Sequence, residues 1–265
     1  MSSATELSMK DFITMREIAL TATFTALVFL STSLFYIALV SSSGFFNLGE
    51  AFVYLAALIG GPIVGAIAGG VGAALADAFL GYGVFAPATL ILKGLEGFTT
   101  GSLYYFARDT KITIRRLILA VGTIFILFFS IYVTTPVLNG VSESSVVQGS
   151  FILADQEHSF NFPGIWLVFI ALILCVIIWY VEIFLGEKGK MALSCILAGP
   201  IIIVGYFLWE VLVLGIVMDA ALFEVPFNIA QVIFGTLIAV PIVAYLEELG
   251  ILPERSRKEE TTETN

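Results

Sequence analysis

Residues 49–80 read GEAFVYLAALIGGPIVGAIAGGVGAALADAFL, and the number of membrane segments depends on how this stretch is divided. It is either one bent span or two short helices meeting at Gly60-Gly61-Pro62. Proline lacks an N–H and disfavours helical geometry in the residue before it. A helix arriving at Gly61 therefore stops, and a second starts at Pro62. We read two segments, 49–60 and 62–80.

The rest of the chain follows from that division. It has 265 residues, of which 59% are hydrophobic and 12% charged. A soluble domain carries about 25% charged residues. The apolar residues come in blocks of the length a bilayer-spanning helix needs, and their continuity, without dyad alternation, excludes a transmembrane barrel. The predicted spans are 17–40, 49–60, 62–80, 86–107, 114–138, 164–185, 191–218 and 226–248. With eight segments, eleven of the twelve Lys and Arg residues fall on one side of the membrane: Lys10, Arg16, Arg108, Lys111, Arg115, Arg116, Lys188, Lys190, Arg255, Arg257 and Lys258. The opposite segments, 41–48, 81–85, 139–163 and 219–225, contain neither. The positive-inside rule then puts both termini in the cytoplasm. The expectation is an all-α, multi-pass protein of the cell membrane: a single transmembrane domain over 1–252 and a disordered cytoplasmic tail over 253–265.

Several functions are excluded. The net charge of −9 includes tail glutamates, and the absence of a basic patch speaks against nucleic-acid binding. Cys175 and Cys195 lie in apolar segments and read as small buried hydrophobes. The first apolar run is too long for a signal peptide and leads directly into further spans. No Gly-x-Ser-x-Gly or His-Glu-x-x-His occurs, and the lone His158 lies in a loop, so neither a catalytic residue nor a metal site is expected. The glycines at 61, 65 and 69 lack the Gly-Lys-Ser/Thr of a nucleotide-binding loop. With Gly72, Ala73 and Ala76 they form a small-residue stripe that lets helices approach closely. Ala22 and Ala26, with Ala19 and Thr23, form a second stripe, for internal packing or for docking another membrane protein.

Charged groups at membrane depth are costly and mark function. Lys93 is seven residues into its span, ~10 Å deep, and Glu96 follows one turn later. Asn47, Glu50 and Tyr54 share one face, Tyr206 and Glu210 another, and Asn228 and Gln231 a third, while Asp77 lies near the end of its span. All fall in the half of the membrane away from the cytoplasm or near its midplane; Glu182, at the inner end of its span, is the main exception. Either they line a cavity open on that side, or they are ion pairs, such as Lys93 with Glu96, Asp77 or Glu210, that hold helices in register.

The stretches Asn47-Leu48-Gly49-Glu50-Ala51, Gly61-Pro62, Ala76-Asp77, Ala86-Pro87-Ala88-Thr89, Lys93-Gly94-Leu95-Glu96-Gly97, Gly205-Tyr206-Phe207-Leu208-Trp209-Glu210 and Val225-Pro226-Phe227-Asn228 with Gln231 resemble, in order and spacing, the substrate-binding S components of energy-coupling factor (ECF) transporters. That resemblance implies a non-enzymatic, six-helix membrane subunit. It would capture a small vitamin-like solute at the outer face, without a cofactor, and work with a transmembrane coupling protein and two cytoplasmic ATPases. It also implies that Ala22 and Ala26 dock the coupling protein and that residues 41–48, with Phe45 and Phe46, form a lid. The core helices are then about 17–107 and 191–248, and about 114–185 is an inserted hairpin. The local excess of carboxylates favours a neutral or cationic solute. A standalone proton-coupled secondary transporter, with Glu210 and Lys93 as a relay, is the alternative.

Overall fold

The computed structural model describes residues 15–38, 45–110, 116–117, 119–124, 127–128, 146–153, 156–163 and 165–252. It is a bundle in which α1 is Met15–Leu34, α2 Gly49–Gly60, α3 Pro62–Leu80 and α4 Ala86–Asp109. Then come α5 (Ile165–Phe184), α6 (Gly186–Ala198), α7 (Pro200–Leu208) and α8 (Met218–Glu248). A π-helical stretch, Trp209–Val213, prolongs α7. Two antiparallel ribbons interrupt the helical pattern: β1 (Tyr36–Ala38) pairs with β2 (Phe45–Asn47), and β3 (Val146–Leu153) with β4 (Gln156–Pro163). Among the described residues, four stretches are long and apolar enough to cross a membrane: Met15–Leu34, Pro62–Leu80, Gly186–Val213 and Ala220–Glu248.

The division at 60–62 is present. Gly61 has φ +91°, a region that side-chain-bearing residues rarely adopt, and Pro62 takes the first turn of α3, where its missing N–H is harmless. From that turn α3 runs back through the bundle with its glycines against neighbouring backbones. A Cβ on Gly69 would stand 2.9 Å from the Lys93 carbonyl, one on Gly70 2.6 Å from that of Leu90, and one on Gly72 2.7 Å from that of Thr25. Gly97 of α4 faces Gly65 of α3 in the same way. In lipid, where burial of apolar surface does not drive helices together, this backbone contact is a principal source of attraction.

The first four helices alternate in direction. The end of α1, the start of α2, the end of α3 and the start of α4 meet at the end of the bundle that carries the β1–β2 ribbon, where the rings of Phe45 and Tyr82 lie 4.7 Å apart. The opposite end is fixed by Tyr104 donating to Glu247 (3.2 Å) and by Lys188 pairing with Glu248 (3.3 Å). Arg16, Arg108, Lys188 and Lys190 all belong to this second end. Between the two ends, Tyr54, Leu58, Val64, Tyr104, Met191 and Val240 form the apolar core. On the outside, α5 packs on α6 and buries Ala171 and Cys175.

Several expected boundaries move. The first helix stops at Leu34 rather than near 40, because Tyr36–Ala38 extend to pair with β2. Apolar strand residues and apolar helix residues read alike in sequence. The seventh span begins at Gly186 and ends at Val213. The last helix begins at Met218, so the expected loop 219–225 is helical and Pro226 sits inside the helix with Pro241. A proline inside a membrane helix is tolerated where neighbours re-satisfy the freed backbone. The expected loop 139–163 contains the β3–β4 ribbon, which includes His158. Most of the fifth span (114–138), lid residues 41–44 and the tail 253–265 lie outside the described residues.

The α3–α4 contact makes a direct prediction. Gly97→Ala forces a methyl into the Gly65 carbonyl and lowers the melting temperature in detergent, at a cost of about 1–3 kcal/mol. Gly94→Ala, whose methyl would rest 3.4 Å from the Ala66 carbonyl, is close to neutral in the same measurement.

Candidate functional site

The ribbon end of the bundle opens into a cavity of about 50 Å³, within about 540 Å³ of empty space that includes its mouth. Its wall takes residues from α1 (Thr32), β2 (Phe45, Asn47), α2 (Gly49, Glu50, Val53), α3 (Ala73, Asp77), α4 (Thr89, Lys93), α7 (Tyr206) and α8 (Glu224, Asn228, Gln231), with Phe85 just before α4. Gly49 is required where it stands. A Cβ there would strike the Thr32 hydroxyl and come within 2.8 Å of the Asn47 side-chain oxygen.

Three polar chains organise the wall. In the first, the Lys93 ammonium bonds Glu50 of α2 and reaches Glu96, one turn on, at 3.2 Å. The Tyr54 hydroxyl donates to the other Glu96 oxygen at 2.9 Å. In the second, Tyr206 donates to the Thr89 hydroxyl at 3.0 Å and Thr89 donates to Asp77, linking α7, α4 and α3. In the third, the Gly49 backbone N–H donates to Asn47 (2.8 Å), the Asn47 amide to Gln231 (3.0 Å), and the Gln231 amide to Asn228 (3.3 Å). Because the first donor is a backbone N–H, the orientation of each later amide follows from it.

Seven of the ten residues singled out from the sequence line the cavity: Asn47, Glu50, Asp77, Lys93, Tyr206, Asn228 and Gln231. The other three do not. Tyr54 and Glu96 are fully buried behind Lys93 and hold it from below. Glu210, in the π-helical stretch, is buried, and neither of its carboxylate oxygens has a hydrogen-bond donor. Lys93 pairs with Glu50 and Glu96, not with Asp77 or Glu210. Asn228 and Gln231 lie well inside α8 rather than at its mouth. Sequence reading missed Thr89, Thr32 and Glu224. Thr89 carries no charge to betray it, and Glu224 was hidden by reading Pro226 as the start of a helix; its i, i+4 spacing to Asn228 was the available signal.

Ala22, Thr23 and Ala26 on α1 are exposed among the described residues.

Residues 12–152, more than half of the chain, match the family described as "ECF-type riboflavin transporter, S component". The chain belongs to this family. It is thus a multi-pass membrane protein of the S-component type. The chain is also similar to an "Uncharacterized protein in gap 3'region" from Pyrococcus woesei, with 42% identity over 83 residues, 31% of this chain and 53% of that protein. It spans about half the length of that curated relative. No solved structure matches the chain.

Removing the central cation tests the geometry. Lys93→Met leaves Glu50 and Glu96 buried without a counter-ion and destabilises the S component by about 3–5 kcal/mol, seen as a fall in melting temperature. Adding Glu50→Gln and Glu96→Gln recovers most of the loss.

Proposed function

We propose that this S component is the substrate-capture subunit of an ECF-type importer. It takes a small water-soluble vitamin or precursor from the outer side of the cell membrane and hands it to a transmembrane coupling protein powered by two cytoplasmic ATPases. The observation that carries this reading is the polar cavity at one end of an otherwise apolar bundle, in a chain of this family. Costly charged groups converge there from four helices, which suits capture of a polar solute better than helix pairing alone.

Both termini are cytoplasmic in this reading, since the end of the bundle that carries Arg16, Arg108, Lys188 and Lys190 faces inward and the cavity outward. Phe45, against Tyr36 and Tyr82, belongs to the lid over the mouth. The exposed Ala22/Ala26 face receives the coupling protein, its small side chains allowing close helix approach. Residues 114–185 are an insertion beside the six-helix core. A proton relay between Lys93 and Glu210 finds no support, because the Lys93 ammonium is engaged by Glu50 and Glu96.

Ligand-dependent melting of the purified protein against a panel of water-soluble vitamins and precursors, riboflavin included because the family description names it, tests this directly. At least one solute raises the melting temperature at micromolar concentration; no response to any of them defeats the proposal. Ala22→Leu with Ala26→Leu leaves that response intact and abolishes ATP-dependent uptake in cells that contain the coupling module. Equal loss of binding and uptake counts against a docking role.

A further inference from the structure

Three side-chain amides line the cavity in a row: Asn47 from β2, then Gln231 and Asn228 from α8. An amide has an accepting end and a donating end of nearly the same shape, so its direction follows from its partners. Here the direction is set at one end of the row. The Gly49 backbone N–H donates to the Asn47 carbonyl at 2.8 Å. The Asn47 nitrogen therefore faces the Gln231 carbonyl, at 3.0 Å, and the Gln231 nitrogen faces the Asn228 carbonyl, at 3.3 Å. A backbone N–H cannot reverse, so the links that depend on it keep their direction.

The row ends at the Asn228 nitrogen. Asn228 is 7% exposed and Gln231 4%, so bulk water does little for either. Among the described residues, no hydrogen bond uses the Asn228 nitrogen, and the Oε1 atom of Glu224, one turn earlier on α8, has no donor. A buried N–H group without an acceptor is costly. A solute atom that accepts a hydrogen bond removes that cost. A solute that places another N–H there leaves two donors facing each other, and sites built on a buried polar group reject such analogues strongly. A ring carbonyl meets the requirement and a ring amino group does not.

Resting on the capture role proposed above, we infer that Asn47 is a positioning residue which, through Gln231, holds Asn228 with its N–H groups toward the cavity, so that the site selects a solute with a carbonyl oxygen or unprotonated ring nitrogen at that point over one with an amino group. Asn47 does this without touching the acceptor. Reversing the row reverses the selection. A carboxylate has no N–H to pass on. In Asn47→Asp the new carboxylate accepts from the Gly49 N–H and also from Gln231, which turns its nitrogen toward it. The Gln231 carbonyl then faces Asn228, whose amide turns over and offers its oxygen to the cavity. Gln231→Glu turns Asn228 the same way and leaves the bond between Gly49 and Asn47 in place.

The test uses the purified full-length protein in nanodiscs at pH 8, where an introduced carboxyl is ionised. Two pairs of probes are titrated, each differing by one ring carbonyl exchanged for an amino group: oxythiamine against thiamine, and folate against aminopterin. The wild type is expected to prefer the carbonyl member of at least one pair by about 10-fold, the effect of one hydrogen bond made rather than left unmade. Asn47→Asp and Gln231→Glu are each expected to reverse that order, which a merely structural role does not do. A wild-type preference for the amino member, or variants that weaken both members alike, overturns the positioning role and leaves the capture role standing. Binding of none of the four probes by the wild type removes the proposed selection, and if the wider vitamin panel is also silent the capture role falls with it. A second measurement needs no solute. Asn47→Asp combined with Gln231→Glu sets two carboxylates face to face without a donor, so the melting temperature falls by more than the sum of the single changes; additive falls overturn the coupling between the two amides. If Asn47→Asp fails to fold, Gln231→Glu alone decides the reversal.

Discussion

An ammonium buried between carboxylates on two helices sets the plan of this bundle. Lys93 of α4 bonds Glu50 of α2 and Glu96 of its own helix, and the Tyr54 hydroxyl secures Glu96 from behind. Taking these charges out of water is expensive, and their mutual attraction offsets the cost only with good geometry and satisfied hydrogen bonds. The neighbouring backbone must therefore hold its place. Gly235 of α8 passes so close that a Cβ there would stand 2.7 Å from Glu50 Cγ and 3.1 Å from the Tyr54 ring. The triad is at once the floor of the cavity and the reason α2, α4 and α8 keep their register.

The two sides of the cavity are built differently. On the α1–α4 side, glycines bring backbones into contact, and backbone against backbone leaves little room for adjustment. On the α6–α8 side the helices are interrupted: Pro200 opens α7, the π-helical stretch follows it, and Pro226 and Pro241 lie within α8. Each removes or shifts regular hydrogen bonds of the helix, and kinks concentrate at such points. One wall is thus fixed and the other is segmented. The segmented wall carries Tyr206, Glu224, Asn228 and Gln231 and is the more adjustable of the two.

What could be read from sequence divides along the same line. The break at Gly61-Pro62 and the glycine stripe of α3 were legible because proline, positive-φ glycine and small-residue spacing act locally. Lys93 was legible as an anomaly, since a cation in an apolar span must be answered by something. Its partner Glu50, 43 residues away, was not, because spacing along one helix favours Glu96 and says nothing about a facing helix. Glu224 was lost to a single misreading of Pro226. The strand Tyr36–Ala38 was absorbed into the first span because Tyr, Ile and Ala suit either structure. The family resemblance supplied the order of the motifs; the hydrogen-bond partners needed coordinates.

The amide chain shows how the mouth and the depth of the cavity are joined. The Gly49 N–H, at the first turn of α2, can only donate, so the Asn47 carbonyl must accept and its amide must donate onward to Gln231 and thence to Asn228. Asn228, its carbonyl already taken, has its N–H groups left to offer, one turn from the acceptor oxygens of Glu224. The α8 face is therefore polarised, donor at 228 and acceptor at 224, and the polarity originates in the backbone of another helix. Asn47 is also the last residue of β2, the strand that carries Phe45 at the mouth. A displacement of that ribbon pulls on the first side-chain link and releases Gln231 and Asn228 in turn. In the capture role proposed above, opening the mouth and loosening the grip on a solute would then be one event.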